Sequence, residues 1–176
     1  MECYGTALFK MPPSNDGMLT EIKNYIENEL DLHIEGKINN VGSVYLMSFI
    51  GGSSLEDELC ELLNKLSTLK CPTVKGYWQG DEDPFVELLW VDETDNSIDS
   101  FSVDSGVFDT IAEMEIEDAD DLCDYKDLQV AYQQGPRDYF MKPFTQWQQG
   151  IPPELISDLN ELVEEVIESS KEVIEE

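Results

Sequence analysis

The chain has 176 residues, is 41% hydrophobic and carries a formal net charge of −29. The apolar content excludes a wholly disordered chain, since burial of that surface offsets conformational entropy, and the length allows one sizeable domain. Ten basic residues against thirty-nine acidic ones also exclude direct nucleic-acid binding, which needs Lys and Arg to displace counterions from phosphates.

The first seventy-nine residues predict the order strand, helix, strand, strand, helix, strand. The predicted elements are a strand over 3–9, a helix over 17–30 capped by Ser14, Asn15 or Asp16, strands over 32–38 and 43–50 around a turn at 39–42, a helix over 54–69 and a strand over 72–79. This order resembles the split β-α-β arrangement of ferredoxin-like folds, so the sequence predicts an α+β class with an antiparallel sheet. That fold serves many unrelated functions and therefore implies none.

The helix over 54–69 has the clearest pattern. Its leucines recur at helical spacing along one stripe, namely Leu55, Leu59, Leu62, Leu63, Leu66 and Leu69. Ser53 and Ser54 each precede an acidic residue by three positions, which is the spacing of a capping box.

Residues 76–125, the central acidic block, contain seventeen carboxylates and no Lys or Arg. Apolar residues alternate with the acidic ones, so the block is expected to fold rather than to form a tail. Strands over 85–91 and 98–103 are predicted to extend the sheet as an acidic hairpin. Short helices are predicted near 107–115 and 119–133, with Gly135 as a stop, although 128–130 is also compatible with a strand.

Residues 135–152 are aromatic and nearly neutral, and they predict a loop whose aromatic side chains pack back onto the domain; the alternative is a separate binding patch. After Pro152 and Pro153, a long C-terminal helix is predicted. Its apolar stripe either docks on the core or forms a two-helix seam with a second copy, so a monomer and a homodimer both remain open. We expect a sheet domain over 1–105 and an acidic helical extension over 106–176 packed on it, or one continuous domain.

No pattern in the sequence indicates catalysis. His33 is the only histidine, no phosphate-binding loop is present, and the four cysteines lack metal-ligand spacing. A twelve-residue calcium loop starting at Asp92 fails, because Ser97 and Val103 occupy its glycine and glutamate positions. We therefore predict no enzyme activity, no cofactor and no metal. With no secretory leader or long apolar run, the chain is expected to be cytoplasmic, in the host cell if phage-encoded, with reduced cysteines in the core and no membrane contact.

The acidic surface is the predicted site of function. Residues 151–176, the C-terminal acidic block, hold nine carboxylates, whereas duplex DNA presents on the order of twenty phosphates along a helix of about 35 Å. Both blocks together hold twenty-six carboxylates, which suffices if the fold places them on one face. The predicted partner-binding residues are Asp92, Glu93, Asp95, Asp99, Asp104, Glu113, Glu115, Glu117, Asp118, Asp120, Asp121, Asp124, Glu161, Glu164, Glu165, Glu168 and Glu172.

In charge and size the chain resembles the small proteins with which phages and mobile elements imitate DNA to block restriction or CRISPR enzymes. The resemblance is one of composition. It implies an inhibitor that occupies the basic nucleic-acid-binding groove of its target. Two alternatives remain, an immunity or adaptor protein that neutralises one basic partner by shape-specific contact, and a domain whose charge serves solubility.

Overall fold

The computed structural model describes residues 2–13, 17–82 and 84–175, and in these residues the chain is a mixed α+β protein with one seven-stranded antiparallel sheet. The strands are β1 (Cys3–Lys10), β2 (His33–Ile34), β3 (Asn39–Val41), β4 (Val44–Gly51), β5 (Val74–Gly80), β6 (Phe85–Val91) and β7 (Ile98–Asp104). The helices are α1 (Met18–Glu29), α2 (Leu55–Thr68), α3 (Gly106–Glu113), α4 (Lys126–Gln148) and α5 (Ser157–Glu175). Short 3₁₀ segments, Ala119–Leu122 and Pro153–Leu155, precede α4 and α5.

The sheet has the strand order β2-β4-β1-β5-β6-β7, and β3 also pairs with β4. β1 lies between β4 and β5 and is antiparallel to both. β5, β6 and β7 continue as antiparallel neighbours. The two strands predicted in the central acidic block are therefore present and extend the sheet.

Alternate strand residues enter two separate cores, as the pleat of a sheet requires. Ala7 and Phe9 pack with α1 and α2, whereas Leu8 packs with α3, α4 and α5. The helices thus form one layer on each side of the sheet. On the first side, five leucines of the predicted stripe (Leu55, Leu59, Leu62, Leu63 and Leu66) are buried, which confirms the face assigned to α2.

The second helical layer has an aromatic core. Phe108 of α3 and Phe140 of α4 pack edge to face with ring centroids 5.6 Å apart, and Phe101 of β7 joins both Phe140 and Tyr139. Residues on both sides of position 105 build this cluster together with Leu8 and Leu46 of the first half. The aromatic side chains of 135–152 therefore pack inward, as predicted.

The predicted loop over 135–152 is wrong, because most of it is helical. α4 runs to Gln148 with one interruption at Gly135, whose backbone (φ 80°, ψ 165°) is open only to glycine. The chain resumes the helix at Pro136, a residue suited to a first helical turn because it lacks an N–H. Glycine was thus correctly identified as a helix stop, but the neighbouring proline restarts the helix in the same segment.

Three further local predictions need correction. The turn predicted at 39–42 lies at Gly42 and Ser43, and Asn39–Val41 is a strand because it pairs with β4. The helix predicted over 119–133 begins as a 3₁₀ turn and becomes α-helical at Lys126. Ser54 precedes α2 but its side chain makes no cap hydrogen bond, so the predicted capping box is absent there. The cap candidates Ser14, Asn15 and Asp16 lie outside the described residues.

The apolar stripe of α5 docks on the chain itself. Leu159, Val163, Val166 and Ile167 are buried in the aromatic core. The stripe that was considered for a seam with a second copy is therefore covered by α3, α4 and the sheet. Among the cysteines, Cys3 and Cys71 are buried as expected, but Cys123 is exposed beside the 3₁₀ turn.

Candidate functional site

The predicted partner-binding carboxylates occupy four places in the fold. These are the β6–β7 turn with its flanks (Asp92, Glu93, Asp95 and Asp99), the β7–α3 corner (Asp104), the segment from the end of α3 to the start of α4 (Glu113, Glu115, Glu117, Asp118, Asp120, Asp121 and Asp124) and the outer face of α5 (Glu161, Glu164, Glu165, Glu168 and Glu172). All are exposed except Asp92 and Asp99, which are half-buried. Every predicted site residue is therefore at least partly accessible to solvent.

The β6–β7 turn is held by its own carboxylates. The backbone N–H of Thr94 donates to Asp92 over 2.8 Å, and both the N–H and the hydroxyl of Ser97 donate to Asp95. The Ser97 hydrogen bonds lower the pKa of Asp95. Partial burial, followed by the nearby charge of Asp92, raises the pKa of Asp99. The turn thus presents a compact group of carboxylates, some of which also fix its backbone.

The densest acidic run, 113–124, is folded by reciprocal capping. Asp118 accepts from the backbone N–H of Asp120 over 2.9 Å, and Asp121 accepts from the N–H groups of Glu117 and Asp118. This is a capping box built entirely from acidic residues. The capping pattern that the sequence analysis assigned to Ser53 and Ser54 is thus found here, where no serine or threonine signals it.

The outer face of α5 lines an open groove of about 690 Å³, to which Pro84 contributes from the β5–β6 turn. That turn also contains Asp81 and Glu82 of the central acidic block. The central acidic block thus contributes Pro84 to this groove, whereas the carboxylates that line it all belong to α5. Asp104 lies at the same end of the sheet, because its strand partner is Phe85.

Arg137 contacts the predicted site residues on α5 and was not identified from the sequence. Its guanidinium donates to both carboxylate oxygens of Glu164, at 3.0 and 2.8 Å, and lies 3.8 Å from Glu168. The pair raises the pKa of Arg137 and lowers that of Glu164. Lys171 also contacts Glu168, at 3.3 Å. We call the five predicted glutamates on the outer face of α5 the α5 row, and two of them, Glu164 and Glu168, are therefore partly neutralised. The sequence signal for this contact was that Arg137 is the only arginine in the chain.

The fold brings some of the predicted residues together and separates others. α3 and α5 are in direct contact in one layer, so carboxylates of both blocks lie on that side of the sheet. The β6–β7 turn lies at the opposite end of β6 from the groove at Pro84, as the register of β6 with β7 requires. Asp92, Glu93, Asp95 and Asp99 consequently form a group of their own.

A second concave feature lies at that far end of the strands. This cleft of about 580 Å³ is bordered by α2, β5, β6 and the end of α4, with Trp90, Trp147 and Glu93 among its lining residues. Lys75 lies half-buried there and donates to the backbone carbonyls of Trp147 and Gln149 at the C-terminal end of α4. Burial lowers the pKa of Lys75. Its ammonium thus caps the negative end of a helix dipole.

A pair of acidic side chains lies on the other side of the sheet. Glu87 of β6 faces Glu56 of α2, and burial together with the Glu56 charge raises the pKa of Glu87 to about 6. Neither residue belonged to the predicted site. Because β6 reads as an apolar strand with one polar residue, only the cross-strand and helix contacts reveal the pair.

Among the described residues, no group of three or more His, Cys, Asp or Glu side chains has an arrangement that could hold a metal ion. No helix in the described part of the chain combines the length and apolar character needed to cross a bilayer. Comparison with protein-family models, with curated proteins and with solved structures finds no match to this chain.

Proposed function

We propose that this chain is a DNA-mimic inhibitor, a non-catalytic protein whose folded acidic surface occupies the basic nucleic-acid-binding groove of a target such as a restriction or CRISPR nuclease. One observation carries the proposal. Carboxylates of both acidic blocks lie exposed on helices and turns of the same molecule, and α3 of the central block packs directly against α5 of the C-terminal block on one side of the sheet.

The physical argument is electrostatic. A basic groove that attracts phosphates attracts any rigid surface with a comparable density of negative charge, through the same long-range field. A rigid acidic surface also loses little conformational entropy on binding, whereas an acidic tail would have to be ordered. The capping box at 118–121 and the hydrogen-bonded turn at 92–97 supply that rigidity. Such an inhibitor would act in the cytoplasm in which its target cleaves nucleic acid.

We also infer that the N-terminal half belongs to the ferredoxin-like type. The support is the central position of β1 between β4 and β5, together with α1 and α2 packed on one face of the sheet. On this interpretation β6, β7 and the second helical layer are additions to that unit, and they contain most of the acidic surface. The fold type itself carries no functional weight.

The proposal is tested by competition for a DNA-binding nuclease. The chain should displace a fluorescent duplex from the enzyme, and the inhibition should weaken by at least about tenfold between 50 and 300 mM salt, because exposed charges are screened. Replacing Glu161 and Glu165 by lysine should abolish the competition. The matched control replaces Glu27 and Glu29 by lysine on α1, where both residues are exposed on the opposite layer.

An immunity or adaptor protein gives a different result in the same experiment. Such a protein binds one basic partner and is not displaced by duplex DNA. A chain whose charge serves solubility gives no displacement, and its lysine variants differ from the parent only in solubility. Equal loss of competition in the α5 and α1 variants would contradict a localised mimic surface.

A further inference from the structure

The cleft of about 580 Å³ lies at the end of β6 opposite the α5 groove. There the α2–β5 loop, the β6–β7 turn and the end of α4 meet. Its volume is in the range of sites that hold small organic molecules, roughly 300 to 1,000 Å³. Such sites combine an apolar lining with a few polar groups, and those polar groups select the ligand.

Lys75 and Trp90 are neighbours in the wall of this cleft. They lie directly opposite each other in the antiparallel pairing of β5 with β6, so their side chains are on the same face of the sheet. Trp90 is half-buried, and Trp147 of α4 also lines the cleft. The cleft therefore has one cationic side chain beside two aromatic ones.

The ammonium of Lys75 has no counter-ion in the described part of the chain. It donates to the backbone carbonyls of Trp147 and of Gln149, the latter over 2.7 Å, and no described carboxylate lies within ion-pairing distance of it. In the same row of the sheet, Asp99 is two strands away, beyond Trp90, which corresponds to about 10 Å between backbones. Because an ammonium has three N–H donors, one donor of Lys75 is left for a ligand.

A second lysine lies close to the first. The backbone N–H of Lys10 donates over 3.1 Å to the carbonyl of Thr73, which lines the cleft. Burial, followed by the charge of Lys10, lowers the pKa of Lys75. Glu93 also lines the cleft, but it is exposed, so water and salt screen its charge. At physiological salt the Debye length is about 8 Å, so the more distant acidic residues are screened while the two lysines act at short range.

We propose that this cleft binds a small aromatic carboxylate, whose anionic group pairs with the Lys75 ammonium and whose ring packs against Trp90. The inference goes beyond the proposed function, because it concerns a different part of the molecule from the α5 row and needs no basic partner. A carboxylate supplies the counter-ion that Lys75 lacks and accepts its third N–H in a charge-assisted hydrogen bond. An aromatic ring gains offset or edge-to-face contact with the indole. A cationic ligand would instead be repelled by both lysines.

The test uses three naphthalene compounds that carry their substituent at the same ring position: naphthoate, naphthamide and naphthylmethylammonium. The ring is the same in all three, and the charge is negative, zero and positive. In titration calorimetry at about 0.15 M salt, naphthoate should bind at least about tenfold more tightly than naphthamide, because a hydrogen bond to a charged group is the stronger one. Naphthylmethylammonium should bind the most weakly of the three.

Nuclear magnetic resonance of the nitrogen-labelled parent chain locates the ligand without any substitution. The three tryptophans each give an indole N–H signal. Naphthoate should shift the signal of Trp90 and leave that of Trp78 in place, because Trp78 packs with the core on the opposite face of the sheet. A shift confined to Trp78 overturns the proposed site.

Substitutions of lysine separate the local contact from the overall charge. Lys75→Met keeps the aliphatic stem and removes the ammonium, so naphthoate should bind it no more tightly than naphthamide does. Lys75→Arg keeps a cation and should retain most of the preference. The matched control is Lys23→Met, which removes an exposed lysine from α1 and should preserve the affinity for each compound. Thermal melting identifies loss of fold, and if Lys75→Met does not fold, the three compounds and the Trp90 signal of the parent chain still decide the result.

Several outcomes overturn the inference. These are equal affinity for naphthoate and naphthamide, tightest binding of the cation, and no binding of any of the three compounds. Equal loss of naphthoate binding in Lys75→Met and Lys23→Met also overturns it, because net charge rather than contact with Lys75 would then determine the affinity. None of these results changes competition with duplex DNA, so failure of the cleft as a binding site is distinguishable from failure of the proposed function.

Discussion

Arg137 holds the carboxylate of Glu164 in a two-pronged ion pair, joining the second half of α4 to α5 across 27 residues of sequence. Both side chains are about half exposed, so the pair is expected to contribute little to folding stability. Its main effect is on charge, because it places the only guanidinium of the chain inside the acidic row of α5.

Arg137→Gln should therefore make the chain a stronger competitor of duplex DNA. Removing the guanidinium exposes the charge of Glu164 and makes the α5 row more negative, so competition with duplex DNA should improve severalfold at low salt. The unfolding free energy should change little, because solvent screens an ion pair at the surface. The matched control is Lys142→Gln, which removes one exposed positive charge from the same helix outside this pair. A stronger effect from Lys142→Gln than from Arg137→Gln would contradict a role for the α5 row.

The elements that could be predicted from the sequence are those whose signals are local. The leucines of α2 recur at helical spacing, and that spacing alone identifies the buried face. The strands of the central acidic block carry enough apolar residues to be recognised despite their charge. Exposure of the carboxylates also follows directly, since an unpaired charge is costly to bury.

The remaining features depend on contacts between distant residues. Arg137 and Glu164 meet only because α4 and α5 pack in one layer, and no spacing rule joins positions so far apart. The same holds for Glu56 with Glu87, and for Pro84 with the α5 groove. The capping box at 118–121 was missed for another reason, because aspartate in a strongly acidic run looks like surface charge rather than a backbone acceptor.

Gly135→Ala should destabilise the fold by about 1 to 3 kcal/mol. The backbone of Gly135 lies in a region that L-residues avoid, so a Cβ imposes strain even though open space surrounds it. Gly52→Ala is the control, since that glycine also has open space but no positive φ. Chemical denaturation of both variants gives the comparison. An equal loss of unfolding free energy in the two variants would show that the interruption of α4 does not depend on glycine.

Trp147→Phe should cost more stability than Trp78→Phe, although each replaces one indole by one phenyl ring. The indole N–H of Trp147 donates to the buried carbonyl of Leu89 over 2.8 Å and so ties α4 to β6. The indole N–H of Trp78 is buried close to Glu87, but among the described residues it has no partner at hydrogen-bonding geometry. Losing the Trp147 bond removes a buried hydrogen bond between helix and sheet, which typically contributes about 0.5 to 1.5 kcal/mol. Similar midpoints of denaturation for the two variants would contradict a stabilising role of the hydrogen bond between Trp147 and Leu89.

The unfolding free energy should fall as pH rises from about 4.5 to about 6, because Glu87 loses its proton inside the folded chain. Partial burial and the adjacent Glu56 raise the pKa of Glu87 from 4.5 to about 6 in the folded chain. Between those values the folded state binds more protons than the unfolded state, so stability falls with rising pH and stays lower above pH 6. Because the site is about half exposed, the loss should be of the order of 1 kcal/mol after solvent screening.

Glu87→Gln isolates this contribution from the repulsion of the whole acidic surface, which changes with pH in both proteins. The difference in unfolding free energy between parent and Glu87→Gln should grow from pH 4.5 to pH 6.5 and then level off. Glu56→Gln should move that transition to lower pH, since the neighbouring charge is removed and the pKa of Glu87 falls. The matched control is Asp57→Asn, which changes the exposed residue directly after Glu56 on α2. It should leave the transition in place. If Asp57→Asn shifts the transition as far as Glu56→Gln does, the pKa of Glu87 is set by general surface charge rather than by its contact with Glu56.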